Sequence, residues 1–192
     1  KCDTQAQQQD GQWNITGTKS VVAVGDHADA FLVPAMAAGK LALFLVAKGA
    51  KGAATAGYVT QDGARAAELT LNQTPASLVT LDGLTALSHA TDIGIATVCA
   101  EAVGVMDKTL AITVDYMNTR KQFNTTIATF QALRHRVADM KMQLELGRSM
   151  SYYASLKLNA PAAERHQAMA RAKYQLGNSM RFVGQQSVQL HG

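Results

Sequence analysis

The sequence predicts an α+β protein with two segregated domains: an antiparallel β-barrel or sandwich over residues 1–84, then three long helices of an antiparallel four-helix-type bundle over residues 85–192. Two observations separate the halves. Up to about Leu84 the apolar runs are short and divided by turn residues, which is strand spacing; beyond it they recur at alternating intervals of three and four, which is helix spacing. A third observation permits both, because 47% of the 192 residues are hydrophobic, enough to fill real cores and to exclude global disorder.

In chain order, Trp13-Asn14-Ile15, Val21-Val22-Ala23-Val24, Ala30-Phe31-Leu32-Val33, Leu41-Ala42-Leu43-Phe44-Leu45-Val46 and Ala67-Glu68-Leu69-Thr70-Leu71 have the length of strands. Gly17, Gly25, Asp26, Gly39, Gly52, Gly57, Asp62 and Gly63 are expected to form the turns between them, since these residue types tolerate unusual dihedrals. The first helix is expected over residues 91–119, with Ile95, Val98, Val103, Met106, Leu110 and Val114 as its apolar residues and many Ala and Gly to allow close helix approach. In the second, Phe130, Leu133, Val137, Met140 and Leu144 share one face, while Arg134, Arg136, Asp139, Lys141 and Glu145 occupy others. Asn159-Ala160-Pro161 ends it, and Pro161 suits the first turn of a third helix running through Met169, Ala172, Leu176, Ser179 and Val183 toward Leu190. A bundle of this kind usually has a fourth member, so the chain is expected to be incomplete at its C-terminus.

The formal charge of +4 is mildly basic, but the Lys and Arg residues are scattered and not gathered into a stripe with aromatics, so no nucleic-acid partner is expected. No long apolar run suits a membrane span, and the N-terminal residues lack the order of a signal peptide. Cys2 and Cys99 fit neither a Cys-x-x-Cys pattern nor a zinc spacing, and a reduced, cytoplasmic protein is the expectation. Asn14, Asn72 and Asn124 head Asn-x-Ser/Thr triplets that, without a secretory signal, read as chance. The five histidines have no metal-ligand spacing, so no metal site is expected; they read as surface or helix-end residues, and the methionines as helical gap-fillers.

The most distinctive stretch is Thr119-Arg120-Lys121-Gln122-Phe123, lying between two helical segments. A planar, permanently charged guanidinium there can grip a phosphate or carboxylate with two hydrogen bonds, which makes it a candidate anion clamp. Four blocks occur in order: Trp13-Asn14-Ile15-Thr16-Gly17-Thr18-Lys19, Tyr116-Met117-Asn118-Thr119-Arg120-Lys121-Gln122-Phe123, Phe130-Gln131-Ala132-Leu133-Arg134-His135-Arg136-Val137-Ala138-Asp139-Met140 and Gln189-Leu190-His191-Gly192. Together they closely resemble the acyl-CoA dehydrogenase family. The resemblance covers essentially the whole chain and part of the family's architecture, namely the later part of its central β-domain and three helices of its C-terminal bundle. Both ends are therefore expected to be incomplete. Within the family the chain is similar to the small-subunit type of pimeloyl-CoA dehydrogenase.

The resemblance implies FAD as cofactor and α,β-desaturation of an acyl-CoA thioester, in which a carboxylate removes the α-proton and the β-hydrogen leaves as hydride to flavin N5. It also implies an electron-transfer acceptor and association with identical or different subunits through the bundle, with no turnover from this stretch alone. Carried over residue by residue, Arg120 meets the FAD pyrophosphate across a subunit interface; its plainer reading is a surface Arg at a helix C-terminus, where positive charge suits the dipole. Phe123 packs beside the cofactor or anchors the core, and both readings can hold together. Gln131 suits the adenosine portion or simply faces solvent at a helix start. Gln189 and Gly192 begin the segment that approaches adenosine, with glycine permitting close backbone approach.

Two departures qualify the resemblance. Where the family places Trp-Ile-Thr against the flavin, this chain has Val21, Val22 and Ala23, leaving Val21 and Ala23 to offer backbone contacts, or else a plain buried strand. Asn124 replaces the family's glycine, and asparagine is a residue able to keep the positive-φ turn. No residue is assigned as catalytic base. The position used by a minority of the family aligns with Gly94, while Asp92 points about 200° away on a helix and Glu101 lies two turns on, so both read as solvated or capping acids. A second function therefore stands beside the enzyme: a non-catalytic subunit of the same fold that completes a partner's FAD site.

Overall fold

The computed structural model describes residues 2–192, which divide into two compact units, one ending at Ser88 and one running from His89 to Gly192. The first unit holds six strands: β1 (Gln5–Gln9), β2 (Gln12–Ala23), β3 (Ala30–Ala37), β4 (Lys40–Ala47), β5 (Ala53–Val59) and β6 (Arg65–Thr80). β1 pairs with β2, β2 with β6, β6 with β4, β4 with β3, and β3 returns to β1, so five strands close on themselves. All of these pairs are antiparallel except β1 with β3, a short parallel contact at Gln5 and Met36. β5 is added outside the ring on β6. The mixed α+β fold thus has a barrel-like sheet in its first half.

Alternation along the strands fills the barrel. Phe31, Val33 and Ala35 of β3 point inward with Phe44 and Val46 of β4, while Leu32 and Leu45 between them are exposed. Ile15, Leu69 and Leu71 complete the centre, and Trp13 tilts onto Phe44 with ring centroids 5.2 Å apart. β1 and β5 carry no long apolar run, and only Ala6 of β1 is buried. Two glycines expected in turns lie inside strands instead. Gly17 in β2 has φ +151, and a Cβ there would stand 2.7 Å from Thr4 Oγ1, so the residue is glycine because another chain segment passes against it. Gly57 lies within β5.

Helix α1 (Gly83–Thr119) begins earlier than the apolar spacing suggested, with the Asp82 carboxylate accepting the Thr85 N–H at 3.4 Å as a cap. α2 (Gln131–Leu156) and α3 (Ala162–His191) follow, and Pro161 takes the extended conformation before α3 without entering its first turn. On α1 the buried residues Asp92, Ala96, Cys99, Val103, Met106, Leu110, Thr113 and Met117 follow a three-four repeat, with Ala102 buried beside it and Gly83 buried at the helix start. Val98, at 47% exposure, and Val114 lie off that stripe. At these two places the apolar spacing pointed to a valine, while the buried neighbours are Cys99 and Thr113. Met140 and Leu144 of α2 and Met169, Ala172, Leu176 and Val183 of α3 meet the α1 stripe as their spacing predicts. No helix of the described residues is long and apolar enough to cross a membrane.

Cross-helix hydrogen bonds fix the alignment. Arg165 with Asp92, Thr113 with Ser187 and Tyr116 with His191 pair α1 to α3 at a nearly constant offset, so these two helices run parallel and in register. Arg136 with Gln186 and Gln143 with Ser179 set α2 antiparallel to α3. The end of α1, the start of α2 and the end of α3 therefore share one end of the unit.

Candidate functional site

At that shared end, α1 finishes at Thr119 and the chain turns through a minimal hairpin, β7 (Lys121–Gln122) and β8 (Thr125–Thr126). The loop is two residues long, Phe123 with φ +53 and Asn124 with φ +62, the type I′ geometry that matches strand twist. Asn124 holds the left-handed turn expected of it. Phe123 is the unusual member, since a bulky side chain resists positive φ. It is 89% exposed, so the core-anchor reading is corrected: the tip of a tight hairpin projects its ring into solvent. The Phe130 ring meets it edge-on, with centroids 6.1 Å apart.

Arg120 lies between the helix and the hairpin. Its N–H donates to the Tyr116 carbonyl at 2.8 Å and its own carbonyl accepts the Ile127 N–H at 2.9 Å, so the backbone is held on both sides. The side chain is exposed, and among the described residues no carboxylate pairs with the guanidinium. After a short 3-10 turn (Ile127–Thr129), Gln131 opens α2, exposed, with no side chain capping the helix start. Uncapped N–H groups and the helix dipole make that start attractive to negative charge.

The end of α3 closes the arrangement. His191 stacks on Tyr116 with centroids 4.3 Å apart at 15°, and the Tyr116 hydroxyl donates to the His191 carbonyl at 3.2 Å. This His is therefore an anchor that ties the last turn of α3 to α1. Gln189 and Gly192 lie beside it, exposed, around a shallow groove of about 370 Å³ with Gly184, Gln185 and Val188. A larger groove of about 580 Å³ opens between the end of α1 and α2, lined by Met117, Asn118, Thr126, Arg134, Val137 and Lys141 among others. Arg120, Phe123, Gln131, Gln189 and Gly192, distant in sequence, thus belong to one end of the helical unit.

In the barrel unit, Val21 and Ala23 lie on the exposed face of β2, and Val22 alone of the three packs against the core. Val21 is 66% exposed with φ +54, which corrects the reading of a buried strand at that residue. The reason is a bulge, described below. These two residues offer backbone groups and small apolar surface, with no side-chain donor.

The acids behave differently from expectation. Asp92 is 3% exposed and belongs to the buried stripe, so it is neither solvated nor a cap. Arg165 Nε donates to its Oδ2 at 2.7 Å, His166 Nδ1 lies 2.8 Å from the same oxygen, and Arg165 also donates to the Ala160 carbonyl at 3.1 Å. Burial pushes the Asp92 carboxyl up, but the hydrogen bonds and charges of Arg165 and His166 outweigh it and leave its pKa below the usual 3.8. His166, expected as a plain surface residue, is half of this clasp. A signal was available in sequence: Asp92 continues the α1 repeat and Arg165 the α3 repeat, where a lone charge would be intolerable. Glu101 is exposed, and Gly94 faces open space. Among the described residues no group of three His, Cys, Asp or Glu is placed to hold a metal ion.

A permanently charged clamp, an exposed ring and amides around a helix start define the kind of site that receives a phosphate-bearing heteroaromatic group. Residues 82–192 match the profile of the acyl-CoA dehydrogenase C-terminal domain, and the chain belongs to the acyl-CoA dehydrogenase family. The acyl-CoA dehydrogenase FadE27 of Mycobacterium tuberculosis is 36% identical over 134 residues, 66% of this chain and 34% of that protein. The solved ChsE4-ChsE5 complex from Mycobacterium tuberculosis has a chain 29% identical to this one with a TM-score of 0.82, covering 98% of this chain and 52% of that one. A solved FAD-dependent dehydrogenase is 26% identical with a TM-score of 0.88, covering 99% and 54%. The chain thus spans about a third of the curated relative's length and about half of each solved chain.

FAD is the cofactor that this membership implies. The helical-unit residues fit its outer half, since an unpaired guanidinium and an uncapped helix start suit a pyrophosphate and an exposed ring suits adenine. The exposed face of β2 fits the flavin ring only through backbone and apolar contact.

Proposed function

We propose that the whole protein to which this sequence belongs is an FAD-dependent acyl-CoA dehydrogenase that desaturates the α,β bond of an acyl-CoA thioester, passing its electrons to a separate acceptor. The single observation that supports it most is the convergence of Arg120, Phe123, Gln131, Gln189 and Gly192 at one end of the helical unit. In this reading Arg120 grips the pyrophosphate with two charge-assisted hydrogen bonds, Phe123 lies against the adenosine half, and Gln131 and Gln189 bond its polar edge. Gly192, with φ +111, lets the backbone come close. Val21 and Ala23 form an apolar wall for the ring. All the helical-unit contacts lie on the outside of the unit, which suits a flavin held mainly by a neighbouring subunit. When bound, FAD supplies the hydride acceptor for the substrate's β-hydrogen.

The proton step needs a carboxylate, and the position that a minority of the family uses is Gly94, which has no side chain; nearby, Asp92 is tied up in its clasp and Glu101 lies elsewhere on the helix. Residues 1–192 alone are expected to give no turnover. That gap motivates the second reading, a non-catalytic subunit that completes a partner's FAD site; similarity to a chain of the two-component ChsE4-ChsE5 complex favours it further. Purifying the whole protein and recording its visible spectrum with and without acyl-CoA and an artificial acceptor tests both. Flavin that bleaches with acyl-CoA supports the enzyme. Flavin or bleaching that arises only with a co-purified partner supports the second reading, and a colourless protein that takes up no FAD sinks both.

A further inference from the structure

β2 carries a local defect with a single partner. Lys19 pairs with Leu69 of β6 and Val22 with Ala67, so two residues, Ser20 and Val21, stand opposite the one residue Glu68. A second irregularity compensates nearby: between Ile15 and Gly17 the extra residue is on β6, where Gln73 takes φ +48 and donates its N–H to Thr16 Oγ1 at 3.1 Å. Side chains on a strand alternate, so one inserted residue exchanges the faces of everything beyond it. Ile15, Gly17 and Lys19 turn toward the barrel; past the bulge the inward residue is Val22, and Ser20, Val21 and Ala23 are exposed. Without the bulge Val21 would point in and Val22 out.

The bulge is also strained. Val21 and Val24 both have φ +54, and a β-branched residue in that region is a genuine outlier that persists only where its surroundings impose it. The imposing group at Val21 is Glu68. Its Oε1 accepts the Val21 N–H at 3.3 Å and the Tyr58 hydroxyl at 3.3 Å, and Ser20 also bonds the carboxylate. At the far side the Val24 N–H donates to the Arg65 carbonyl at 2.9 Å, and Arg65 Nε holds Asp26 at 2.6 Å.

We propose that Glu68 is a positioning residue: by bonding both residues of the bulge it decides that Val21 and Ala23, and not Val22, form the face offered to the flavin ring. This rests on the flavin reading given above and adds to it the side chain that selects the face. Glu68 touches neither cofactor nor substrate. It acts through the backbone of Val21.

The test uses the whole protein loaded with FAD and two readouts, amide hydrogen exchange over residues 19–24 and the visible spectrum and midpoint potential of the flavin. Glu68→Ala is expected to speed exchange about tenfold and to shift both the flavin bands and the potential. Glu68→Gln keeps an oxygen to accept the Val21 N–H and is expected to stay at wild-type values. In a Val21→Gly background glycine holds φ +54 unaided, so adding Glu68→Ala is expected to change nothing further, which guards against a variant that merely folds badly. Unchanged exchange in Glu68→Ala overturns the proposal. So does faster exchange with an unmoved spectrum and potential, or an effect that persists undiminished in the Val21→Gly background. A wild-type protein that takes up no FAD overturns the flavin reading and this inference with it, and is seen before any variant is made.

Discussion

The barrel unit and the helical unit expose their candidate site residues by different devices. In the helical unit a three-four repeat on each helix sets the inward face, and what lies off the stripe is outward: Gln131 and Gln189 follow from helix register, while Arg120 stands just past the end of α1. In the barrel unit the face of β2 is set by one extra residue and changes where the bulge changes. The helices tolerate local substitution without altering which residues face out. The strand does not, because its period of two makes a slip of one residue a complete reversal.

The largest test of that contrast is Asp92→Ala. It removes one partner of a buried clasp and leaves Arg165 uncompensated, so the helical unit should lose about 3 kcal/mol in urea unfolding, the low end of the range for such pairs because His166 is partly open to water. The same variant should flatten the acid limb of the stability curve. Asp92 has a folded pKa below the usual 3.8, so its contribution is present above that value and is lost as pH falls through the folded pKa; wild type and variant should converge in strong acid. A stability difference that stays constant down to low pH would contradict this assignment.

Next comes Arg120→Ala, expected to weaken FAD retention by the whole assembly by about 2 kcal/mol, roughly thirtyfold, the scale of a charge-assisted hydrogen-bond pair. Its urea midpoint should not move, because the exposed guanidinium has no partner among the described residues. Val21→Gly should make the barrel more stable by about 1 kcal/mol, since glycine holds the left-handed conformation that valine resists. A loss of stability there would mean that the valine side chain matters more than the strain. The smallest stability effect belongs to Phe123→Ala, within about 0.5 kcal/mol of wild type as for an exposed substitution, accompanied by weaker FAD retention. Equal loss of both would return Phe123 to the role of a core anchor.

Much of this architecture was legible in the residues. Met140, Leu144, Met169, Leu176 and Val183 announce their helix faces, because burial and helix period act on the same side chains. β1 and β5 were not legible, since Gln5–Gln9 joins the sheet through backbone hydrogen bonds and β5 is an added edge strand of mostly small residues. On α1 the eye is drawn to Val98 and Val114, yet Ala96, Cys99 and Thr113 are buried in their place, because large apolar side chains dominate the visible spacing and small residues add little to it.

By itself the sequence determined the fold class, the succession of a strand-rich half and three helices, and a set of motifs whose chemistry suits a phosphate-bearing cofactor; it divided β2 into two strands, at residues 13–15 and 21–24, and passed over β1 and β5. These are properties of local spacing and residue type. Only the tertiary structure decided that Asp92, Arg165 and His166 are one clasp, that Phe123 stands in the open at a hairpin tip, and that Val21 and not Val22 faces outward. Each of those depends on a partner more than forty residues away or on a single backbone dihedral, and neither leaves a periodic trace along the chain.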